Sequence, residues 1–237
     1  MFRGHLARVL VVAALGGSLI VSACGRDATL PPADTGPGGA VGAAATAPVG
    51  SAGTLREPKA KLQDDLSALL ERHVALVLLT TAPLAKGQPG DPATRGQLDQ
   101  NSDAITASIV DVFGSDAQVF GDGWRRHVQA FIDYAEATGR HDDAARADAR
   151  ARLGAYPKQV GGFLANADPY LTASGVADLI AAHIADVVPV IDAQAAGSAA
   201  DSTDVANQSD HAITHMAAVA AALTDGFAHQ FPDRFPG

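Results

Sequence analysis

One cysteine, Cys24, is all the thiol that this 237-residue chain contains. A disulfide framework is therefore excluded, and the fold must stand on its apolar core. Positive charge is also scarce: 17 Lys and Arg stand against 26 Asp and Glu, a formal net charge of −9. No basic cluster of the kind that holds a phosphate backbone is present, which argues against a nucleic-acid partner. The same sign disfavours electrostatic attachment to anionic lipid. Strand-type alternation of useful length is missing. So are the motifs that name a reaction. There is no Gly-x-Ser-x-Gly and no His-Glu-x-x-His, and the Gly87-Gln88-Pro89-Gly90 loop is not followed by the Gly-Lys-Ser that cradles phosphate. An enzyme reading rests only on histidines able to act as acid or base, with no nucleophile beside them.

What is present begins at the N-terminus. Arg3 and Arg8 precede an apolar run from Val9 to Ile20, and Leu19-Ile20-Val21-Ser22-Ala23-Cys24 closes it. The run to Ala23 is about fifteen residues, shorter than the roughly 18–20 needed to span a bilayer. Basic flank, apolar centre and small residue at the cut are the parts of an export signal. The stretch resembles the lipobox of bacterial lipoproteins, in which the cysteine is lipidated and becomes the new N-terminus. That resemblance implies a signal peptide over 1–23 and a diacylglyceryl and acyl (palmitate-type) anchor on Cys24, satisfying the two-chain requirement for stable attachment. It places the protein at the extracytoplasmic face of the cell membrane, in the cell envelope. Gly25 to Thr54 is mostly Gly, Ala, Pro, Ser and Thr, too poor in large apolar residues to offset its ordering entropy. Residues 24–56 are thus expected to be a flexible, lipid-anchored tether, reaching roughly 30 Å as a coil.

From about Lys59 the apolar spacing turns helical. Stripes run through Leu62, Leu66, Leu69, His73 and Leu76; Ile105, Ile109, Val112 and Phe113; and Trp124, His127, Val128 and Phe131. Three more follow: Leu153, Tyr156, Val160 and Leu164; Leu179, Ile180, His183, Val187 and Ile191; and a small-residue helix over Ala212–Phe227. Pro83–Gly96 and Gly114–Gly123 read as long loops, Thr138–His141 as a short turn, and Asn166–Ser174 and Gly197–Thr203 as connections. Pro157 with Gly161-Gly162 weakens the fourth helix, and Pro189 should kink the fifth. The expectation is an all-α domain over 57–237.

The chain also repeats itself. Arg72-His73-Val74, Arg126-His127-Val128 and Ala182-His183-Ile184 recur at intervals of 54 and 56 residues, each on an outgoing helix followed by a return helix. Three antiparallel hairpins in one six-helix bundle follow from that. Asn101, Tyr156 and His215 lie 28, 29 and 32 residues after the histidines, where an antiparallel partner would stand. With Phe163-Leu164 and the end Gln230-Phe231-Pro232-Asp233-Arg234-Phe235, the segment from Leu66 to Phe235 resembles an uncharacterised family of all-helical bacterial proteins with three His-containing hairpins. It departs from that pattern in lacking Glu before each histidine, and in having Ala104 and Tyr156 where an acid and an Asn are expected. The resemblance implies the helical fold and carries no reaction.

Two readings of the histidines are open. In one, His73, His127 and His183 are neutral core residues, each hydrogen-bonded to Asn101, Tyr156 or His215 of its return helix. In the other, the repeats bring His73, His127, His183 and His215 together near the axis. Four imidazoles would suit Zn²⁺ or Cu²⁺, with Asn101 behind them. His211 and His215 add an i, i+4 pair on one helix face. Methionine near them is limited to Met216, which disfavours a soft Cu⁺ site. Function then reads as a binding or accessory module of the envelope, engaging a protein or small ligand, with metal binding as the alternative.

Overall fold

The computed structural model describes residues 58–197 and 202–236. The proposed signal peptide, Cys24 and the tether lie outside the described residues. Within them are six α-helices and no strand: α1 (Lys59–Ala85), α2 (Pro92–Phe113), α3 (Gln118–Gly139), α4 (Asp143–Ala167), α5 (Ala173–Ala196) and α6 (Ser202–Gln230), with a 3₁₀ turn at Ser115–Ala117 before α3. The all-α class and the six helices agree with the sequence.

The helix starts are set by local chemistry. Asp91 accepts hydrogen bonds from the backbone N–H of Ala93 and Thr94, with Pro92 in the first turn. Asp142 caps α4 through the N–H of Ala145, and the Thr172 hydroxyl caps α5 through the N–H of Gly175. Two expected loop boundaries are corrected. The first connection shrinks to 86–91, because α1 runs through Pro83 and α2 starts at Pro92. The second is reduced to Gly114 and the 3₁₀ turn, leaving Gly121 and Gly123 inside α3. Helices α4 and α5 also run through Pro157 and Pro189 without a break.

Gly161 is a close-approach residue rather than a weak point. A Cβ there would overlap the carbonyl oxygen of Ala173 at the start of α5. Only glycine lets α4 and α5 meet so closely.

Consecutive helices pack on one another, and α6 returns to pack on α1, closing a ring. Inside the ring α1, α3 and α5 touch each other, while α2 lies against α1 and α3, α4 against α3 and α5, and α6 against α5 and α1. The result is an inner trio of outgoing helices with a return helix in each groove. Buried Leu66, Val74, Val77, Phe131, Tyr134, Val187 and Ile191 fill the space between the inner helices and their neighbours. Leu69 and Leu179, expected in the stripes, are only half-buried; Leu70 is buried in place of Leu69, and Ile180 is buried as expected.

Helices α1 and α5 are unusually apolar. An 18-residue window of each has a mean hydropathy of 1.3 and 1.6, and at 27 and 24 residues both are long and apolar enough to cross a membrane by that measure alone. A helix surrounded by other helices needs the same all-round apolar surface. The chain end is sealed by aromatic packing: Phe235 is buried, Phe113 meets Phe227 edge-on at 5.1 Å, and the Lys59 N–H donates to the Pro236 carbonyl at 3.1 Å.

Candidate functional site

Each histidine sits near the middle of its helix: His73 on α1, His127 on α3 and His183 on α5. Because these are the inner helices, the pseudo-repeat brings the three side chains to one level. Their ring centroids form a nearly equilateral triangle, with sides of 6.0 Å (His73–His127), 5.8 Å (His73–His183) and 5.7 Å (His127–His183). One ring nitrogen from each lies within 4.8 Å of the others. All three residues are at most 2% exposed.

The expected pairwise hydrogen bonds are not made. None of the six imidazole nitrogens has a hydrogen-bond partner. Asn101 is buried but donates its amide N–H to the Leu69 carbonyl at 3.0 Å, and its Oδ1 is left unpartnered. Tyr156 does lie against His127, but by stacking, with centroids 4.3 Å apart and an interplanar angle of 14°; its hydroxyl is buried and also unpartnered.

His215 does not join the triangle. Its Nδ1 is 2.6 Å from Asp186 Oδ2, and the side chain is 18% exposed. His211 is exposed, its Nε2 3.7 Å from Asp186 Oδ1. His215 thus stands opposite Asp186, about one turn along α5 from His183. A four-imidazole centre is thereby corrected to a three-imidazole one.

The walls are aromatic. Trp124 lies 4.6 Å from His73, and Phe131 lies 4.8 Å from His127 and 5.8 Å from His183, all between ring centroids. Trp124, His127 and Phe131 occupy positions i−3, i and i+4 of α3 and therefore share its inward face. The sequence marked them as a stripe but not as the lining of a site.

Electrostatics follow from this enclosure. Burial holds His73 and His127 well below the usual imidazole range, and the neighbouring histidines push both the same way. His183 is lowered to about 4, again chiefly by burial; Asp186 opposes the shift and His215 adds to it. All three are neutral at physiological pH, the state in which imidazole binds a metal. Burial raises the Tyr156 hydroxyl, with the nearby Arg126 charge acting in the opposite sense. It stays a neutral donor.

No family model, curated protein or solved structure matches the chain.

Proposed function

We propose that this protein is an envelope lipoprotein whose helical bundle binds one divalent transition metal, Zn²⁺ or Cu²⁺, through His73, His127 and His183. The observation that carries the reading is the buried triangle of imidazoles with no hydrogen-bond partner. Buried polar groups without partners cost about 1–3 kcal/mol each, and one cation bound by three nitrogens relieves three of them at once.

The geometry is close to what an ion needs. Tetrahedral Zn–N bonds of 2.0–2.1 Å place the nitrogens about 3.3 Å apart. Starting from separations within 4.8 Å, each nitrogen closes in by less than about an ångström, a movement within side-chain reach. Neutral imidazoles favour zinc and cupric copper over the hard cations. The lipobox-like Leu19–Cys24 supports attachment to the membrane, which makes the bundle a tethered metal-binding accessory module facing the extracytoplasmic side.

The test is metal titration of the tag-free full chain in neutral detergent, after chelator treatment. About one equivalent of Zn²⁺ or Cu²⁺ is expected to bind. His73→Gln, His127→Gln and His183→Gln should each lower affinity by tenfold or more, while His211→Gln and His215→Gln leave it unchanged. Failure to bind either metal, or binding retained when all three histidines are replaced, would overturn the reading.

A further inference from the structure

Three protein ligands leave a tetrahedral metal with one open position, the pattern of sites that accept an exogenous ligand rather than of closed structural ones. A cavity of about 220 Å³ between α3 and α4 ends against this centre: His127 and the Tyr156 ring stacked on it line the cavity, with Gly123, Arg126, Gln129, Arg152 and Gln159 around them, while the polar atoms of His127 and Tyr156 stay covered. A second cavity of about 150 Å³ shares Gly123, Arg126, Tyr156 and Gln159 and is otherwise apolar, with Phe120, Val160 and Phe163 among its lining. A compartment rimmed by Arg126, Gln129, Arg152 and Gln159 thus adjoins one lined by apolar side chains.

The first compartment carries two groups suited to an anion. The Tyr156 hydroxyl is buried and unpartnered, and the residue is only 5% exposed. Arg126 is at the mouth: a Cβ built on Gly123 would lie 3.9 Å from Arg126 Nη2 and 3.9 Å from Tyr156 Cε2. Guanidinium and phenol edge therefore flank the same gap beside Gly123. Nearby Arg152, by contrast, is already engaged by Asp133 at 2.8 Å and Asp148 at 3.0 Å.

Resting on the metal reading above, we infer that the α3–α4 cavity, on a shift of the Tyr156 ring that covers His127, admits a short-chain carboxylate to the histidine-bound metal. Its carboxylate takes the open coordination position and accepts a hydrogen bond from Tyr156 while facing Arg126. Its alkyl tail lies toward Phe120, Val160 and Phe163. Arg126 and Tyr156 select for charge, because a hydrogen bond or ion pair to a carboxylate is stronger than one to a neutral group. The apolar compartment selects for a short tail.

The test uses the full chain in neutral detergent loaded with Co²⁺, whose visible absorption reports coordination number and ligand exchange. Butyrate is expected to change the spectrum saturably and at lower concentration than acetate. Arg126→Gln, at an exposed position, and the isosteric Tyr156→Phe should each weaken butyrate about tenfold or more, with Co²⁺ affinity unaltered. Unaltered metal affinity separates a lost anion contact from a damaged fold. Co²⁺ bound with a spectrum indifferent to butyrate, or variants that respond like the parent chain, would overturn the inference and leave the metal reading standing. Absence of Co²⁺ binding would remove the metal reading itself, and the inference with it.

Discussion

The histidines of the triangle are bases held neutral by burial, and that has a consequence for stability. In the unfolded chain each titrates near 6.5, whereas His183 in the folded, metal-free protein titrates near 4. Between those values the unfolded state binds a proton that the folded state refuses, so falling pH favours unfolding. Stability attributable to His183 is complete above about pH 6.5 and declines by about 3 kcal/mol on the way to pH 4. His73 and His127 are shifted in the same direction and steepen the loss. The expected outcome is a urea midpoint for the metal-free protein that drops markedly from pH 7 to pH 5, and drops less in His183→Leu. A flat profile would contradict neutral burial of these rings.

At the level of the helix, two adjacent glycines on α4 have opposite roles. A Cβ on Gly161 would overlap the Ala173 carbonyl oxygen, whereas one on Gly162 meets nothing within 4 Å. Alanine is favoured over glycine by about 0.5–1 kcal/mol in a helix interior. Gly162→Ala should therefore stabilise the protein by roughly that amount. Gly161→Ala gains the same propensity but forces α4 and α5 apart, at an overpacking cost of about 1–3 kcal/mol. Its net effect should be destabilising, by about 1–2 kcal/mol. Denaturant unfolding of the pair checks both signs, and equal effects would mean the helices do not meet as closely as the structure has them.

The same helices carry polar ties that fix their rotation about the inner core. Gln194 donates to the Leu78 carbonyl at 3.0 Å, binding α5 to α1. The Tyr134 hydroxyl donates to Asp192 at 2.9 Å and accepts from Arg146 at 3.1 Å, joining α3, α4 and α5. Asp192 and Gln194 lie nine and eleven residues beyond His183 on α5, about two and a half to three turns away. They lock the end of the bundle away from the triangle, so the imidazoles are aimed by helix rotation rather than by hydrogen bonds of their own.

For the whole molecule, the reading joins a metal-binding bundle to a membrane anchor. Cys24→Ala should abolish labelling of the chain by a fatty-acid analogue when it is expressed in a bacterial host that processes lipoproteins, because the thiol is the proposed attachment atom. Metal binding by the bundle should be unaffected, since its ligands all lie within 58–197. Labelling that persists in the variant would show that the lipid is attached elsewhere, and a parent chain that takes no label would show that there is none. Lipid and metal are thereby tested as separate properties of one chain.

The sequence by itself determined the helical class, the three outgoing and three return helices, and the recurrence of one histidine per hairpin. Those features are periodic, and period is written along the chain: apolar residues at helical spacing, and histidines 54 and 56 residues apart. It misjudged helix ends at Asp91 and Gln118, because a capping side chain or a short turn overrides glycine and proline content. What only the tertiary structure decided was which polar residues meet. Whether His73 faces Asn101 or His127 depends on how helices α1, α2 and α3 are rotated against one another, and a rotation of one residue, about 100°, redirects every side chain. Once α1, α3 and α5 form the inner trio, equal register places their three histidines at a common level. His215, on an outer helix and out of register, turns to Asp186 instead.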